Sequence, residues 1–297
     1  MPNNTQLNPG YDGDVINTLD QGSVKTQVVL PSYLSAAGLV TNVSIAQPLP
    51  ILDATPEISL DRITGFAPFR EFGSNPSIGT TETYVGIVGG SAPYMPSSPV
   101  TVDAISTSVN DTSAGTGARQ LMVTGLDSNW NLASEVLTMN GTSATAATTT
   151  SFYRVHSVYA NAVGAYRGSN AGDITLRVSG GGTSIAVISA GIGGGQGTHY
   201  CVPAGKTLLV IEIHMVVDSL KTSNPIFWQA PNANDLTAPY SGAKRAVQRY
   251  TGAGGMSDFS FNPSIAFPAY TDIWFTSTVT SGTGSISVEY NGYLVDI

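Results

Sequence analysis

Residues 209–217 read Leu-Val-Ile-Glu-Ile-His-Met-Val-Val, and this stretch decides the fold class. Its alternate positions are apolar and share one predicted face: Leu209, Ile211, Ile213, Met215 and Val217. Glu212 and His214 then point to the opposite face, because successive side chains of a β-strand alternate sides. A similar apolar stripe follows at Ile286, Val288, Tyr290 and Leu294. The pattern predicts antiparallel strands with one buried face.

Turn-forming residues separate further strands between residues 100 and 297. Gly, Asp, Asn and Ser cluster at the breaks, as at 111–117, 140–141 and 180–182. The predicted strands are 100–109, 118–126, 131–139, 150–160, 173–178, 184–189, 198–202, 207–217, 225–230, 257–261, 271–279 and 285–295. No amphipathic helix and no repeat of fixed period interrupts them. We therefore predict that residues 100–297 form an all-β, antiparallel, jelly-roll-like β-sandwich.

The charge of the chain excludes several classes of partner. Twelve Lys and Arg against twenty Asp and Glu give a net charge of −8, and only 11% of the residues are charged. Nucleic acids and anionic membranes need clustered Lys and Arg. The one local group, Lys244, Arg245 and Arg249, is small and lies in a predicted Gly- and Tyr-rich loop. We expect neither nucleic acid nor a membrane as a partner.

Targeting and redox signals are sparse. No apolar run approaches the roughly 20 residues of a membrane helix. The N-terminus has no basic region followed by an apolar one, so we expect no secretion signal. Cys201 is the single cysteine, which excludes an intrachain disulfide framework.

The first 99 residues predict a different organisation. Residues 1–47 are predicted to be an N-terminal arm with short strands at 14–19 and 24–30, which need another surface to pack on. Residues 48–99 contain frequent prolines and little periodicity, and we predict an irregular connector laid over a surface. A short helical turn fits the apolar residues between 60 and 72.

Two glycine-containing stretches resemble phosphate-binding loops only superficially. Gly205-Lys206-Thr207 has Tyr200 where a P-loop has its first glycine, and a strand follows in place of a helix. We predict a β-turn over 203–206. Residues 191–197 lack the G-x-G-x-x-G spacing and are predicted to be a flexible hairpin loop.

Metal binding requires converging ligands, and two groups come near that pattern. His199 and Cys201 share one strand face, as do Glu212 and His214 on the next strand, so pairing of these strands would bring four zinc ligands together. An oxygen-rich group near the N-terminus misses the spacing of a calcium loop: Asp12, Asp14, Asn17 and Asp20. Alternating strands generate such pairs freely, so we favour ordinary polar roles and expect no metal and no cofactor.

Catalysis has no recognisable motif. The three histidines, His156, His199 and His214, accompany no nucleophile elbow. We therefore expect no enzymatic activity and assign no catalytic residue.

Several aromatic residues lie near predicted turns: Tyr84, Tyr94, Trp130, Tyr166, Tyr240, Tyr250 and Tyr270. Such rings suit protein interfaces or sugar stacking, and equally suit capping of the sandwich ends.

Several stretches resemble the virion structural proteins of tailed bacteriophages, especially phages of aquatic hosts such as cyanobacteria. The first is Leu-Asn-Pro-Gly-Tyr-Asp-Gly-Asp-Val-Ile-Asn-Thr-Leu-Asp at 7–20, and the second runs from Phe-Gly-Ser-Asn-Pro at 72–76 to Ser-Val-Asn-Asp-Thr-Ser-Ala-Gly-Thr-Gly-Ala-Arg at 108–119. Shorter matches are Asn-Ala-Gly-Asp-Ile-Thr at 170–175, Val-Pro-Ala-Gly-Lys at 202–206 and Pro-Ala-Tyr-Thr-Asp-Ile-Trp at 268–274. The resemblance spans most of the chain and is weakest between 30 and 60.

The resemblance implies a virion location and a role in assembly. The expected partners are other virion proteins, such as major capsid, vertex or tail proteins, together with further copies of the chain in a homotrimer. A capsid-surface decoration or vertex component held by its arm fits this organisation. The alternative is a tail or fibre module that recognises a host-surface carbohydrate through loop Tyr, Trp, Asn and Asp residues.

Overall fold

The computed structural model describes residues 4–6, 15–21, 24–27, 32–34, 40–42, 54–60, 62–88, 90, 92–218 and 220–297, with backbone alone before Glu57. The chain divides into two compact units, Met1–Pro56 and Glu57–Ile297. Apart from turns and loops, the secondary structure of the described residues is β-strand with one helix, α1 (Ala54–Ser59). No helix in this part of the chain is long and apolar enough to cross a bilayer. The all-β prediction is confirmed.

The N-terminal unit contains short strands. They are β1 (Asn4–Gln6), β2 (Val15–Gln21), β3 (Val24–Gln27), β4 (Ser32–Leu34) and β5 (Val40–Asn42). They form a three-stranded sheet in the order β1-β2-β3 and a two-stranded sheet of β4 and β5, both antiparallel. The strands predicted at 14–19 and 24–30 correspond to β2 and β3.

The middle of the second unit forms one β-sandwich, which we call the inserted sandwich. Its strands are β8 (Val102–Ser106), β9 (Ala118–Asp127), β10 (Leu132–Thr138), β11 (Phe152–Val163), β12 (Ile174–Val178) and β13 (Ser184–Ile188). They form two antiparallel three-stranded sheets, in the orders β10-β9-β11 and β13-β12-β8. Buried side chains from both sheets make one core, including Val102, Leu121, Val123, Phe152, Ile174 and Leu176.

The remaining strands of the second unit form a second sandwich, which we call the split sandwich. They are β6 (Phe66–Ile78), β7 (Thr83–Tyr84), β14 (Tyr200–Cys201), β15 (Lys206–Val217), β16 (Ile226–Ala230), β17 (Arg245–Arg249), β18 (Met256–Phe267), β19 (Asp272–Ser277) and β20 (Gly284–Asp296). One sheet has the order β18-β15-β20-β6, and the other has the order β14-β19-β16-β17 with β7 also paired to β19. Their shared core includes Val210, Met215, Phe227, Phe275, Val288 and Tyr290.

The split sandwich takes strands from both ends of the second unit. β6 pairs with β20 along its length, from Phe66 opposite Val295 to Ile78 opposite Gly284. The prediction of an irregular connector over 48–99 is therefore wrong for 66–78, and the compact unit begins near Glu57. Pro68 and Pro76 obscure the strand in the sequence, but proline is tolerated on an edge strand such as β6.

Every strand predicted between residues 100 and 297 is present, although the bounds differ by a few residues. Two features of the prediction need correction. These strands form two sandwiches within one compact unit, each with its own main core, in place of a single sandwich. On β15, the buried face starts with Leu208 and Val210 and continues at Ile213, because the register shifts between Val210 and Glu212. The jelly-roll order remains a prediction.

Candidate functional site

A buried ion pair joins the two sandwiches. Arg154 lies on β11 of the inserted sandwich, and Asp272 begins β19 of the split sandwich. The guanidinium donates from Nε to Asp272 Oδ1 and from Nη2 to Oδ2, each at 2.8 Å. Both side chains are almost wholly buried, at 5% and 3% exposed. This two-point geometry fixes the relative position of the two strands as well as neutralising two charges.

Further polar groups complete the cluster around this pair. His199 Nε2 lies 2.8 Å from Asp272 Oδ1, and since a carboxylate only accepts, His199 donates that hydrogen bond. Cys201 lies directly opposite Asp272 in the β14–β19 ladder. The backbone N–H of Cys201 donates to His156 Nε2 at 3.3 Å. We call these five residues the junction cluster.

Two further donors of Arg154 are satisfied by backbone. Nη1 donates to the carbonyl oxygens of Pro96 at 3.0 Å and Tyr153 at 2.8 Å. The guanidinium also lies 5.2 Å from the centre of the Trp130 ring, which stacks on Tyr153. Trp130 packs with Leu126 and Cys201 in a small third core between the sandwiches. Arg154 is therefore held on several sides.

The environment of the junction cluster sets its protonation. Burial raises the pKa of Asp272, but the hydrogen bonds from His199 and Arg154 and the charge of Arg154 outweigh burial and hold that pKa well below its usual range. Burial, helped by the neighbouring His199, lowers the pKa of His156 to about 3. Burial and the Asp272 carboxylate raise the pKa of the Cys201 thiol well above its usual value.

These shifts decide what chemistry the junction cluster favours. A cysteine nucleophile needs a lowered pKa and access to substrate. The Cys201 thiol is fully buried and its pKa moves the other way. The residue types of an acyl-transfer site are present, but their environment suits packing and hydrogen bonding.

An open cleft lies beside the junction cluster. Its volume is about 200 Å³, and Arg154 and Asp272 are among its lining residues. Met95 and the loop between β16 and β17 supply the rest of the lining, which includes Asn232, Asp235 and Tyr240. Tyr240 is 66% exposed, whereas Arg154 and Asp272 are buried. The cleft thus combines an exposed aromatic ring with fixed polar groups.

The predicted four-ligand zinc group does not assemble. β14, which carries Cys201, pairs with β19, while β15 lies between β18 and β20. His199 and Cys201 therefore belong to the junction cluster. Glu212 and His214 lie on the other sheet of the split sandwich, where His214 contacts Glu212 at 3.2 Å and Asp258 at 2.7 Å. Among the described residues, no group of His, Cys, Asp and Glu has a metal-holding arrangement.

The glycine stretches have structural roles. The N–H of Lys206 donates to the carbonyl oxygen of Pro203 at 3.3 Å and β15 starts there, which confirms the predicted turn. The prediction of a hairpin loop at 191–197 is wrong. Gly193 and Gly195 hydrogen-bond to Ala160 and Val158 of β11, so this stretch lies along a strand and leads from one sandwich to the other.

The remaining predicted residues are distributed as follows. Arg245 and Arg249 are the first and last residues of β17, so the prediction of a loop there is wrong. Lys244 Nζ lies 3.8 Å from the centre of the Trp228 ring. Asp12 and Asp14 lie outside the described residues, and Asn17 and Asp20 are described by backbone alone. Of the aromatic residues near turns, Tyr84, Trp130 and Tyr250 are buried, Tyr94 and Tyr270 are half-buried, and Tyr166 and Tyr240 are exposed.

Sequence reasoning missed Arg154 and Asp272 as partners. Arg154 lies within a predicted strand and Asp272 near the start of another, in a chain that is only 11% charged, and a charge at such a position is the available signal. They are 118 residues apart, so no local spacing connects them.

The fold and the junction cluster define an all-β protein built from two packed sandwiches. No family model matches the chain, and no curated protein matches it. Among solved structures, the chain is similar to the crystal structure of the infectious bursal disease virus VP2 subviral particle. The identity is 9%, the match covers 78% of this chain and 77% of that chain, and the TM-score is 0.15. A score this low does not indicate a shared fold.

Proposed function

We propose that this protein is a non-enzymatic structural component of a bacteriophage virion. In this role it is a homotrimeric decoration or vertex protein of the capsid surface. Residues 1–47 form the arm that holds it to neighbouring virion proteins.

The N-terminal unit carries this proposal. Its strands are three to seven residues long and form sheets of three and two strands. The sheet of β4 and β5 has only two strands, and such a pair is marginally stable in water on its own. The edge strands of both sheets present backbone N–H and C=O groups that can extend a neighbour's sheet. Such a segment gains its stability from what it is attached to, which is the property of an assembly arm.

Two further observations support the same role. The sequence resembles virion structural proteins over most of its length. The junction cluster, which gathers His, Cys and Asp side chains, uses them in internal hydrogen bonds. Residue types that serve catalysis elsewhere therefore contribute here to joining two sandwiches.

The proposal is tested by deleting residues 1–30, which removes β1, β2 and β3. Phage particles are produced with either the full chain or the truncated chain, and the amount of this protein in purified particles is measured by quantitative mass spectrometry. We expect the truncated chain to be lost from particles while its circular dichroism spectrum remains that of a β protein.

A second variant separates chain length from strand pairing. Residues 1–30 are replaced by a Gly/Ser segment of equal length, which cannot form the same paired strands. This variant should also be lost from particles. Normal incorporation of either variant would contradict the anchoring role, and a monomer by light scattering of the purified full chain would contradict the trimer.

A further inference from the structure

We propose that the cleft beside Arg154 and Asp272 binds one ring of an uncharged saccharide, with Tyr240 as its stacking surface. This recognition function is additional to the proposed structural role, and it does not depend on the N-terminal arm.

The size and shape of the cleft suit one ring of a longer chain. Its volume is about 200 Å³ and it opens to solvent. Sites that enclose a drug-sized ligand have volumes of roughly 300–1,000 Å³. A smaller open cleft contacts a single ring and leaves both ends of the ligand free to continue into solvent, as recognition of a surface polysaccharide requires.

Tyr240 supplies the apolar contact. Its side chain is 66% exposed although it carries a large ring, and it lines the cleft. A sugar ring has an apolar face of C–H groups that can pack on an aromatic ring, while the phenol hydroxyl stays in water. Tyr166 is a useful comparison, because it is 90% exposed but does not line this cleft.

Polar groups at fixed positions supply the orientation. Asp235 Oδ2 accepts hydrogen bonds from Ser241 N at 2.8 Å and from Ser241 Oγ at 2.6 Å. Asn232 Nδ2 donates to Ser241 Oγ at 3.2 Å. These contacts hold a carboxylate and an amide in place, and each group has further capacity to accept from or donate to a sugar hydroxyl. A few convergent polar groups beside an apolar surface are typical of small-ligand sites.

The charged side chains that line the cleft favour an uncharged ligand over an anionic one. Among the described residues that line the cleft, Arg154 is the one cation, and its two hydrogen bonds to Asp272 neutralise it. The other charge on the lining is the Asp235 carboxylate, and hydrogen bonds from Ser241 and Thr237 lower its pKa, so it is ionised at neutral pH. An anionic sugar would meet a negative charge with no free cation to balance it.

The test uses the full chain and a panel of immobilised glycans that contains neutral hexose and N-acetylhexosamine polymers and sialylated or uronic-acid polymers. We expect millimolar or tighter binding to at least one neutral glycan, confirmed by titration with the corresponding free sugar. Tyr240→Ala should weaken that binding about tenfold or more, while Tyr240→Phe should retain most of it because the ring remains.

Tyr166→Ala is the matched control, since it removes an exposed tyrosine elsewhere and should leave binding unchanged. Failure of every neutral glycan to bind would overturn the proposal, as would equal binding by the wild type and Tyr240→Ala. A preference for anionic glycans would overturn the assignment of ligand class. None of these results depends on incorporation into particles, so this proposal and the structural role can fail separately.

Discussion

At the scale of single residues, the Arg154–Asp272 pair is a buried ion pair held by two direct hydrogen bonds. Removing two charges from water is costly, and the attraction between them compensates only when the geometry is good and the other donors are satisfied. Here Arg154 donates to both carboxylate oxygens of Asp272, the carbonyl oxygens of Pro96 and Tyr153 accept from Arg154 Nη1, and His199 also donates to Asp272. Replacing such a pair by apolar residues is often neutral for stability, whereas its two-point contact fixes how the two strands meet.

Arg154→Met should lower the free energy of unfolding by about 3–5 kcal/mol, because it leaves the Asp272 carboxylate buried without its cation. The change is measured by urea denaturation at neutral pH. The double variant Arg154→Met with Asp272→Leu removes both charges and should recover much of the loss. A single variant within about 1 kcal/mol of wild type would show that the pair is not effectively buried in solution.

The junction cluster also shows where sequence reasoning fails at this scale. His199 and Cys201 were recognised as neighbours on one strand face, which is correct, because strand periodicity is local. The pairing with the next strand that would bring in Glu212 and His214 does not form, because β14 pairs with β19. Strand pairing depends on tertiary contacts, and neither residue carries a signal for it.

At the scale of elements, the pairing of β15 with β20 contains a β-bulge. The register between them shifts between Val210 and Glu212, leaving Ile211 as the extra residue of a bulge. Gly292 on β20 lies opposite Val210, and a Cβ there would overlap the carbonyl oxygen of Leu209. The close approach of the two strands at this point requires glycine.

Gly292→Ala should therefore destabilise the split sandwich by about 2–3 kcal/mol, since the contact is with backbone that cannot rotate away. The shift is measured by thermal or urea unfolding. Gly79→Ala is the matched control, because nothing lies within 4 Å of the Cβ it would add. Equal stability of the two variants would contradict the close approach.

Alternation and turn-forming residues predict some of the strands and miss others. Strands with turn residues at both ends were predicted correctly from 100 to 297, because alternation and turn chemistry are local properties. β6 was missed because it contains Pro68 and Pro76, and β17 because Arg245 and Arg249 occupy its ends. Both strands lie at the ends of their sheets, where proline and charge are tolerated, so their sequences lack the usual strand signal.

At the scale of the whole molecule, two buried groups of the junction cluster make the protein less stable in acid. His156 titrates near 6.5 when unfolded and at about 3 when folded, and it faces His199, Arg154 and Asp272. The pKa of Asp272 is likewise held below its unfolded value. A lowered pKa in the folded state gives stability that is present above the unfolded pKa and is lost as the pH falls through the folded pKa.

As the pH falls from about 6.5 to 3, His156 and then Asp272 should withdraw stability from the second unit, while Glu71, whose pKa burial raises well above its usual value, should offset part of that loss. Urea midpoints measured across this range test the slope. His156→Gln keeps a side-chain acceptor for the Cys201 N–H but cannot titrate, so its midpoint should fall less steeply between pH 6.5 and 4.5. Parallel curves for the two proteins would exclude His156 as a source of acid sensitivity.

The pairing of β6 with β20 has a consequence for biosynthesis. The inserted sandwich has all its strands between residues 102 and 188, so it can fold while the ribosome is still translating the rest. The split sandwich cannot close until residues 284–296 have emerged, because its first long strand has that segment as its ladder partner. Until then the backbone of β6 in the nascent chain lacks its β20 partner. A chain terminated before residue 284 would contain a folded inserted sandwich and an incomplete split sandwich, whose exposed apolar surface would favour aggregation.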